Sequence, residues 1–338
     1  MSVPAAIIWQ HQRLRLLDQR RLPHEVRYLD IADLDAAIDA IRTLAVRGAP
    51  AIGIATAYAL VVAMRALAPA DERGFQTSLR DCAERLKRAR PTAVNLAWAA
   101  QRLIARAERE PTLAALTDEA QRIHAEDRII CRQIGEHGKA LIPSGGGVLT
   151  HCNAGALAVS ELGTATAPMY LCHADGVPFR VFADETRPLL QGARLTAWEL
   201  DAAGIDVTLI CDNMAAALMA AGEIDLVLVG TDRVTANGDV VNKIGTLNLA
   251  ILCRYFDIPF YVACPSSTFD PATASGADVI IEERPAEEVL GQAAARVAVR
   301  NPAFDVTPAA LVTAIITERG IARAPLDVSL ARLLAPVS

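Results

Sequence analysis

Aromatic residues are scarce: they make up 4% of the 338 residues, against 52% hydrophobic residues. The core must therefore be filled mainly by Ala, Val, Leu and Ile. Cysteine occurs seven times, an odd number, and no two cysteines stand in a CxxC pair. That excludes a disulfide framework and a zinc ribbon, and it suits a reducing cytoplasm. Basic excess is also missing. A net charge of −6 argues against a nucleic-acid partner, which would demand a basic face. The opening MSVPAAIIWQHQR has neither a basic n-region nor a long apolar h-region, so no signal peptide is expected. Long uncharged apolar runs are few. Gly48 to Met64 is too short for a bilayer and is interrupted by Gly and Pro, which reads as a buried helix. The run from Ala140 to Ser160 carries Pro143, three consecutive glycines, His151 and Asn153, which rules out a membrane helix. No GxGxxG fingerprint, GxxxxGK[ST] loop or GxSxG elbow is present.

What is present falls into two rhythms. After a short extended start (Ile7 to Tyr28), apolar positions recur at helical spacing. Helices are expected from about Leu34 to Ala45, from Pro50 onward, from Leu79 to Ala89, from Val94 to Arg109 and from Leu116 to Ala140. Beyond Pro143-Ser144-Gly145-Gly146-Gly147, short apolar runs alternate with helical ones. The runs are Val148–Thr150, Phe179–Ala183, Val207–Cys211, Leu226–Gly230 and Phe260–Ala263. The helical stretches are Arg194–Ala203, Met214–Ala221 and Lys243–Phe256. The pattern is that of an α/β fold: a mainly helical N-terminal domain over 1–140, then a parallel sheet with crossover helices over 141–338.

Nearly every expected strand is followed at once by polar residues: His151-Cys152-Asn153, Asp184-Glu185-Thr186-Arg187, Asp212-Asn213, Thr231-Asp232-Arg233 and Ser266-Ser267-Thr268. In an open parallel sheet these ends share one edge, where ligands bind. Cys152 stands between a strand and an expected helix, whose positive end would favour thiolate. It also reads as a small packed hydrophobe, as Cys82, Cys131, Cys253 and Cys264 do. Asp232 ends an apolar strand, where loss of water would raise its pKa and let it act as an acid. The alternative is a solvated aspartate paired with Arg233. His151-Cys152 and Cys172-His173 each supply one metal ligand easily, too few for a tetrahedral site, so no metal is expected. Arg47-Gly48-Ala49-Pro50, Arg90-Pro91-Thr92 and Asn242-Lys243 set cations beside helix starts. The first alone reads more safely as a Gly helix stop followed by Pro at the next start, and the second shares that ambiguity, but three such places suit a phosphate-bearing substrate.

RGAPAIG (47–53), RPTAVNLAWA (90–99), THCNAGALA (150–158), DETRPLLQGARLTAWEL (184–200), DNMAA (212–216), GTDRVTANGDVVNKIGT (230–246), PSSTFD (265–270) and NPAFDVTPAALVTAIITERGI (301–321) occur in that order. Together they closely resemble the methylthioribose-1-phosphate isomerase family of methionine salvage, over nearly the whole chain. The resemblance implies a Rossmann-like C-terminal domain, a cytoplasmic homodimer, a sugar-phosphate substrate and no metal or nucleotide cofactor. It assigns Cys152 and Asp232 as the catalytic pair. Arg47, Gly48, Ala49, Arg90, Gln191, Asn242 and Lys243 fall at its substrate-binding positions. Thr231 stands where the family usually has Ala, and Val159 where Thr is common.

Two further readings accompany it, besides ribose-1,5-bisphosphate isomerisation, a related activity that needs a second anion seat not found in the sequence. The first is 5-deoxyribose-1-phosphate isomerisation by the same site, since one apolar substituent gives only modest discrimination. The second is a binding scaffold like the regulatory subunits of the translation-initiation exchange factor, which share the fold and lack the catalytic pair.

Overall fold

A computed structural model of the chain describes residues 3–90, 94–291 and 297–335. Its contacts divide the described chain into two compact units. One holds 3–131 and 156–163, and the other 132–155 and everything from 164 onward.

The first unit opens with three antiparallel strands in sequential order: β1 (Ile7–Gln10), β2 (Arg13–Leu17) and β3 (Tyr28–Ile31). In β2, Leu14 and Leu16 are buried while Arg13 and Arg15 are exposed, the two-residue period of a half-buried strand. Helices follow: α1 (Leu34–Arg42), α2 (Ala49–Leu67), α3 (Glu72–Ala89), α4 (Val94–Arg109) and α5 (Leu113–Gly138). Asp33 caps α1 by accepting from the Ala36 amide at 2.8 Å. Asp71 does the same for α3 through Gly74, which is why α3 begins a full two turns before the expected Leu79. Among the described helices, α2 alone is long and apolar enough to cross a membrane by composition, yet Ala51 through Met64 are all buried. A helix apolar on every side is the centre of a bundle, and α1, α3 and α4 pack around it.

Trp9 stacks on Tyr58 with ring centroids 4.7 Å apart, and the Tyr58 hydroxyl lies 3.1 Å from His124 Nδ1 on α5. Residues 156–163 lie against this bundle. The Leu157 carbonyl accepts from Gln19 Nε2 at 2.7 Å, and the Ser160 amide donates to Asp127 Oδ2 at 2.8 Å. A Cβ on Gly48 would come within 2.5 Å of the Ala158 carbonyl oxygen, and Gly48 has φ +92°, so only glycine fits that close approach.

The second unit is built on a seven-stranded sheet. Its strands are β4 (Gly147–Thr150), β5 (Arg180–Asp184), β6 (Val207–Ile210), β7 (Leu226–Val229), β10 (Phe260–Ala263), β13 (Ala314–Thr317) and β14 (Gly320–Arg323). The order is β14-β13-β10-β7-β4-β5-β6, parallel throughout except for β14 at one edge. Central strands β4, β7 and β10 are buried at every position, as a sheet covered on both faces requires. From β4 the chain steps outward through β5 and β6, then returns to the other side of β4 for β7, β10 and β13. The order therefore reverses between β4 and β7, the switch point where such sheets open a crevice at their carboxyl ends.

The five expected strands of this unit are present within one or two residues. The helices α6 (Ala167–Ala174), α7 (Ala197–Ala202), α8 (Ala215–Ala220) and α9 (Thr246–Phe256) alternate with them. Two helical expectations are corrected. The stretch from Arg194 begins inside a π-turn, Gly192–Thr196, before α7. The stretch from Lys243 is still strand, because Gly245, at φ +104°, starts α9. A second sheet was not expected at all: β8 (Arg233–Thr235), β9 (Val240–Lys243), β11 (Phe269–Asp270) and β12 (Phe304–Thr307), ordered β11-β8-β9-β12. Two short helices, α10 (Glu287–Leu290) and α11 (Leu326–Leu334), complete the unit.

Burial, with a smaller contribution from the Arg128 charge, pushes His124 down to about 4 from an ordinary 6.5. Between those values the unfolded chain takes up a proton that the folded chain refuses. Stability therefore falls as pH drops from 6.5 toward 4, by roughly 3 kcal/mol in total from this one group. An NMR titration should show the His124 ring uncharged at pH 5.5; a midpoint near 6.5 contradicts the assignment.

Candidate active site

Cys152 lies two residues beyond the end of β4, and Asp232 three beyond the end of β7. Val148 pairs with Leu226 and Leu149 with Val227, so the two strands run side by side. Neighbouring strands are about 4.8 Å apart. The loops beyond them also touch: a Cβ on Gly230 would lie 2.5 Å from the Ala154 Cβ. The switch point of the sheet thus presents a thiol and a carboxyl from adjacent strands.

Cys152 is half-buried and has φ +61°, a left-handed conformation that costs a non-glycine residue about 1–3 kcal/mol. Two threonines hold it there. The Cys152 amide donates to Thr186 Oγ1 at 2.8 Å, and the Thr196 hydroxyl donates to the Cys152 carbonyl at 2.5 Å. Thr186 is itself fixed, with its amide donating to Asp212 Oδ1 at 2.8 Å and its hydroxyl to the Asp184 carbonyl at 3.1 Å. Asn153 Nδ2 reaches Thr196 Oγ1 at 3.1 Å. The helix expected to follow Cys152 is not there. A single 3₁₀ turn, Ala156–Ala158, follows instead, and no helix begins before Ala167, so the expectation of a helix-dipole effect on the thiol is withdrawn.

Asp232 is half-buried, and its amide donates to the Val241 carbonyl at 3.0 Å. Arg233 pairs with Asp270 across 3.2 Å. Thr231 braces this loop, with Oγ1 2.9 Å from the Arg233 carbonyl and 2.8 Å from that of Val241. Where alanine would offer nothing, the hydroxyl adds a local tie.

Gln191 is 7% exposed and opens the π-turn, a form of helix common at functional sites; its Oε1 is buried with no hydrogen-bond partner among the described residues. Asn242 donates to Thr246 Oγ1 at 2.9 Å. The Lys243 ammonium donates to the Ala303 carbonyl at 3.1 Å and sits 4.7 Å from the Phe304 ring centre. Gln191, Asn242 and Lys243 therefore belong to the same unit as Cys152 and Asp232. Arg47, Gly48 and Ala49 lie together where α1 gives way to α2, and Arg90 ends α3, all in the first unit. Pro91 and Thr92 of the second expected anion seat lie outside the described residues.

Among the described residues His151, Asp184 and Asp212 bring ligand atoms within 4.8 Å of one another. Most of these atoms already have protein partners: both His151 nitrogens face acceptors, one of them Asp184 Oδ2, and the Asp212 oxygens take the Thr186 and Arg187 amides, while Asp184 Oδ1 is buried without a partner among the described residues. Cys172 of the other suggestive pair is buried with Sγ near the Lys139 carbonyl, while His173 is exposed. Thr186 and Thr196 escaped the sequence reading as site residues. Thr186 at least stood in the polar run after β5; Thr196, inside an expected helix, carried no signal.

Residues 45–324 match the family described as "Initiation factor 2 subunit family". The sequence is similar to the methylthioribose-1-phosphate isomerase of Gemmatimonas aurantiaca, with 54% identity over 315 residues, 92% of this chain and 91% of that one. It is also similar to the 5-deoxyribose 1-phosphate isomerase of Bacillus cereus, with 50% identity over 338 residues, 97% of each chain. The structure is similar to the crystal structure of 5-methylthioribose 1-phosphate isomerase from Pyrococcus horikoshii, with a TM-score of 0.91, 40% identity, and coverage of 98% of this chain and 96% of that one.

Thr186→Val keeps the shape of the clamp and removes its acceptor. A buried amide left without a partner costs about 1–3 kcal/mol, so hydrogen exchange at the Cys152 amide should quicken about tenfold or more. Unchanged exchange would show that Thr186 does not hold this backbone.

Proposed function

The chain belongs to the initiation factor 2 subunit family, and from that premise we propose that it isomerises 5-methylthioribose 1-phosphate to 5-methylthioribulose 1-phosphate, a step of methionine salvage. The observation that carries the proposal is the pairing of β4 with β7 at the order reversal, which presents Cys152 and Asp232 at one carboxyl edge.

The chemistry calls for both groups. The substrate's anomeric oxygen is esterified to phosphate, so its ring cannot open as a free hemiacetal does. In the proposed sequence the Asp232 carboxyl gives a proton to the ring oxygen as the bond from that oxygen to C1 breaks. Cys152 then takes the proton from C2, and the electrons left behind form a C1–C2 double bond, an enol phosphate. The same proton returns to C1 while the C2 hydroxyl becomes a carbonyl and restores the proton to Asp232. Atoms balance and no outside oxidant is needed. A direct hydride shift from C2 to C1, with Cys152 lining the path, is the other route. Arg47, Gly48, Ala49, Arg90, Gln191, Asn242 and Lys243 are proposed to bind the substrate. Lys243 suits its phosphate, and the unpartnered Gln191 Oε1 suits a sugar hydroxyl as donor. A homodimer working in the cytoplasm without cofactor completes the proposal.

The similarity to the Bacillus cereus enzyme supports a second substrate, 5-deoxyribose 1-phosphate, which differs only by hydrogen in place of methylthio at C5. An apolar substituent of that size gives a few kcal/mol of discrimination at most, so the two sugars should be compared side by side. A scaffold like initiation-factor subunits would show no thermal stabilisation by either.

Cys152→Ser and Asp232→Asn should each lower kcat about 10²–10⁴-fold, the usual worth of a positioned acid or base, with melting temperatures close to the parent's. Unimpaired turnover in both variants refutes these roles. Substrate deuterated at C2 separates the routes, because substantial loss of label to water excludes a purely direct shift.

A further inference from the structure

His151 stands next to Cys152 in sequence, but its ring is directed into the sheet unit and is 1% exposed. Both ring nitrogens face acceptors: Nδ1 lies 2.9 Å from Asp184 Oδ2 and Nε2 2.9 Å from the Ile244 carbonyl. A carbonyl oxygen only accepts, so Nε2 carries a proton. One more proton is shared between Nδ1 and Asp184. Burial of each partner favours a neutral pair, and it raises the Asp184 carboxyl. The surroundings favour the ring. Besides Asp184, the carboxylates of Asp212 and Asp305 act on it, and Asp305 Oδ2 accepts the Gly245 and Leu247 amides at 2.8 and 3.1 Å. Burial alone would lower the ring's pKa. The Asp184 hydrogen bond and charge, the Ile244 carbonyl and the Asp212 charge outweigh it, and the pKa is raised.

The turn that receives Nε2 is shaped for the ring. A Cβ on Gly245 would come within 2.9 Å of His151 Cε1 and 3.0 Å of Nε2, so glycine alone lets the Ile244-Gly245 turn lie on the imidazole. That turn joins β9, which ends in Asn242 and Lys243, to α9. The ring therefore spans three elements: the β4 end beside Cys152, the β5 end at Asp184, and the turn after Lys243.

We infer that His151 is a positioning residue of this site, a buried imidazole strut whose two hydrogen bonds hold the strand end bearing Cys152 against the turn bearing Asn242 and Lys243. The inference rests on the isomerase reading given above. As a strut, His151 acts through the geometry of its neighbours and touches no reacting atom.

The test uses the full-length protein labelled with ¹⁵N-histidine and free of substrate, with His151→Gln identifying the signal. The expected result is an Nε2 that carries a proton exchanging slowly with water, as its bond to the Ile244 carbonyl requires; a bare or fast-exchanging Nε2 overturns the strut. In kinetics with methylthioribose 1-phosphate, His151→Gln should lower kcat/KM at least tenfold. Combined with Lys243→Met it should lose little more than Lys243→Met alone, because both act on one turn. Fully additive losses overturn the inference. Should His151→Gln fail to fold, Gly245→Ala pushes the turn off the ring while keeping the imidazole, and the same coupling to Lys243→Met is expected. A wild type inert toward both sugar phosphates counts against the isomerase reading, and the ring-nitrogen spectrum still decides the strut.

Discussion

The parallel pairing of β4 with β7 is the constraint on which the site depends. Val148 opposite Leu226 sets where each strand ends, and hence which residues emerge at the crevice. Because both strands are buried on both faces, slipping the register by one residue would drive every side chain into the wrong layer. Gly147 guards the start of this pairing. A Cβ there would sit 1.9 Å from the Glu223 carbonyl oxygen, while its amide and carbonyl are tied to Asp225 at 2.7 and 2.8 Å. The end of β4 is thus set from its beginning.

At that end the structure spends stability on geometry. Cys152 and Thr186 both have positive φ, at 61° and 63°, and each is held by hydrogen bonds to other strand ends. Such conformations cost free energy, and the hydrogen bonds of the clamp hold Cys152 and Thr186 in them. Thr186 and Asp212 come from the loops after β5 and β6, and Thr196 from the π-turn. The backbone position of one residue therefore draws on several consecutive crossovers of the sheet.

Buried polar groups divide the same way in both units. Asp127 takes the Ser160 amide and holds the 156–163 segment on the helical bundle, while Asp184, His151 and Asp305 tie strand ends and a helix start in the sheet unit. In each case a carboxyl, desolvated and with its proton affinity raised, is kept where a loop must be anchored without regular backbone pairing.

Alone, the sequence determined what short-range signals encode. Continuous apolar runs such as Val148-Leu149-Thr150 and Leu226 to Gly230 marked the central strands, and polar residues at their ends marked the edge where Cys152 and Asp232 emerge. The uniformly apolar Gly48 to Met64 marked a core helix, now α2. The four strands of the second sheet were not legible, because two to four residues such as Arg233–Thr235 or Phe269–Asp270 are too short and too polar to show a period. Nor was the absence of a helix after Cys152, or the start of α9 at Gly245 rather than Lys243. Tertiary structure alone decided the strand order that makes β4 and β7 neighbours, the clamp of Thr186 and Thr196 on Cys152, and the seat of His151 against Gly245. The physical reason is the same for all three. Each is a contact between residues tens of positions apart, fixed by packing and hydrogen bonds that no local window of sequence contains.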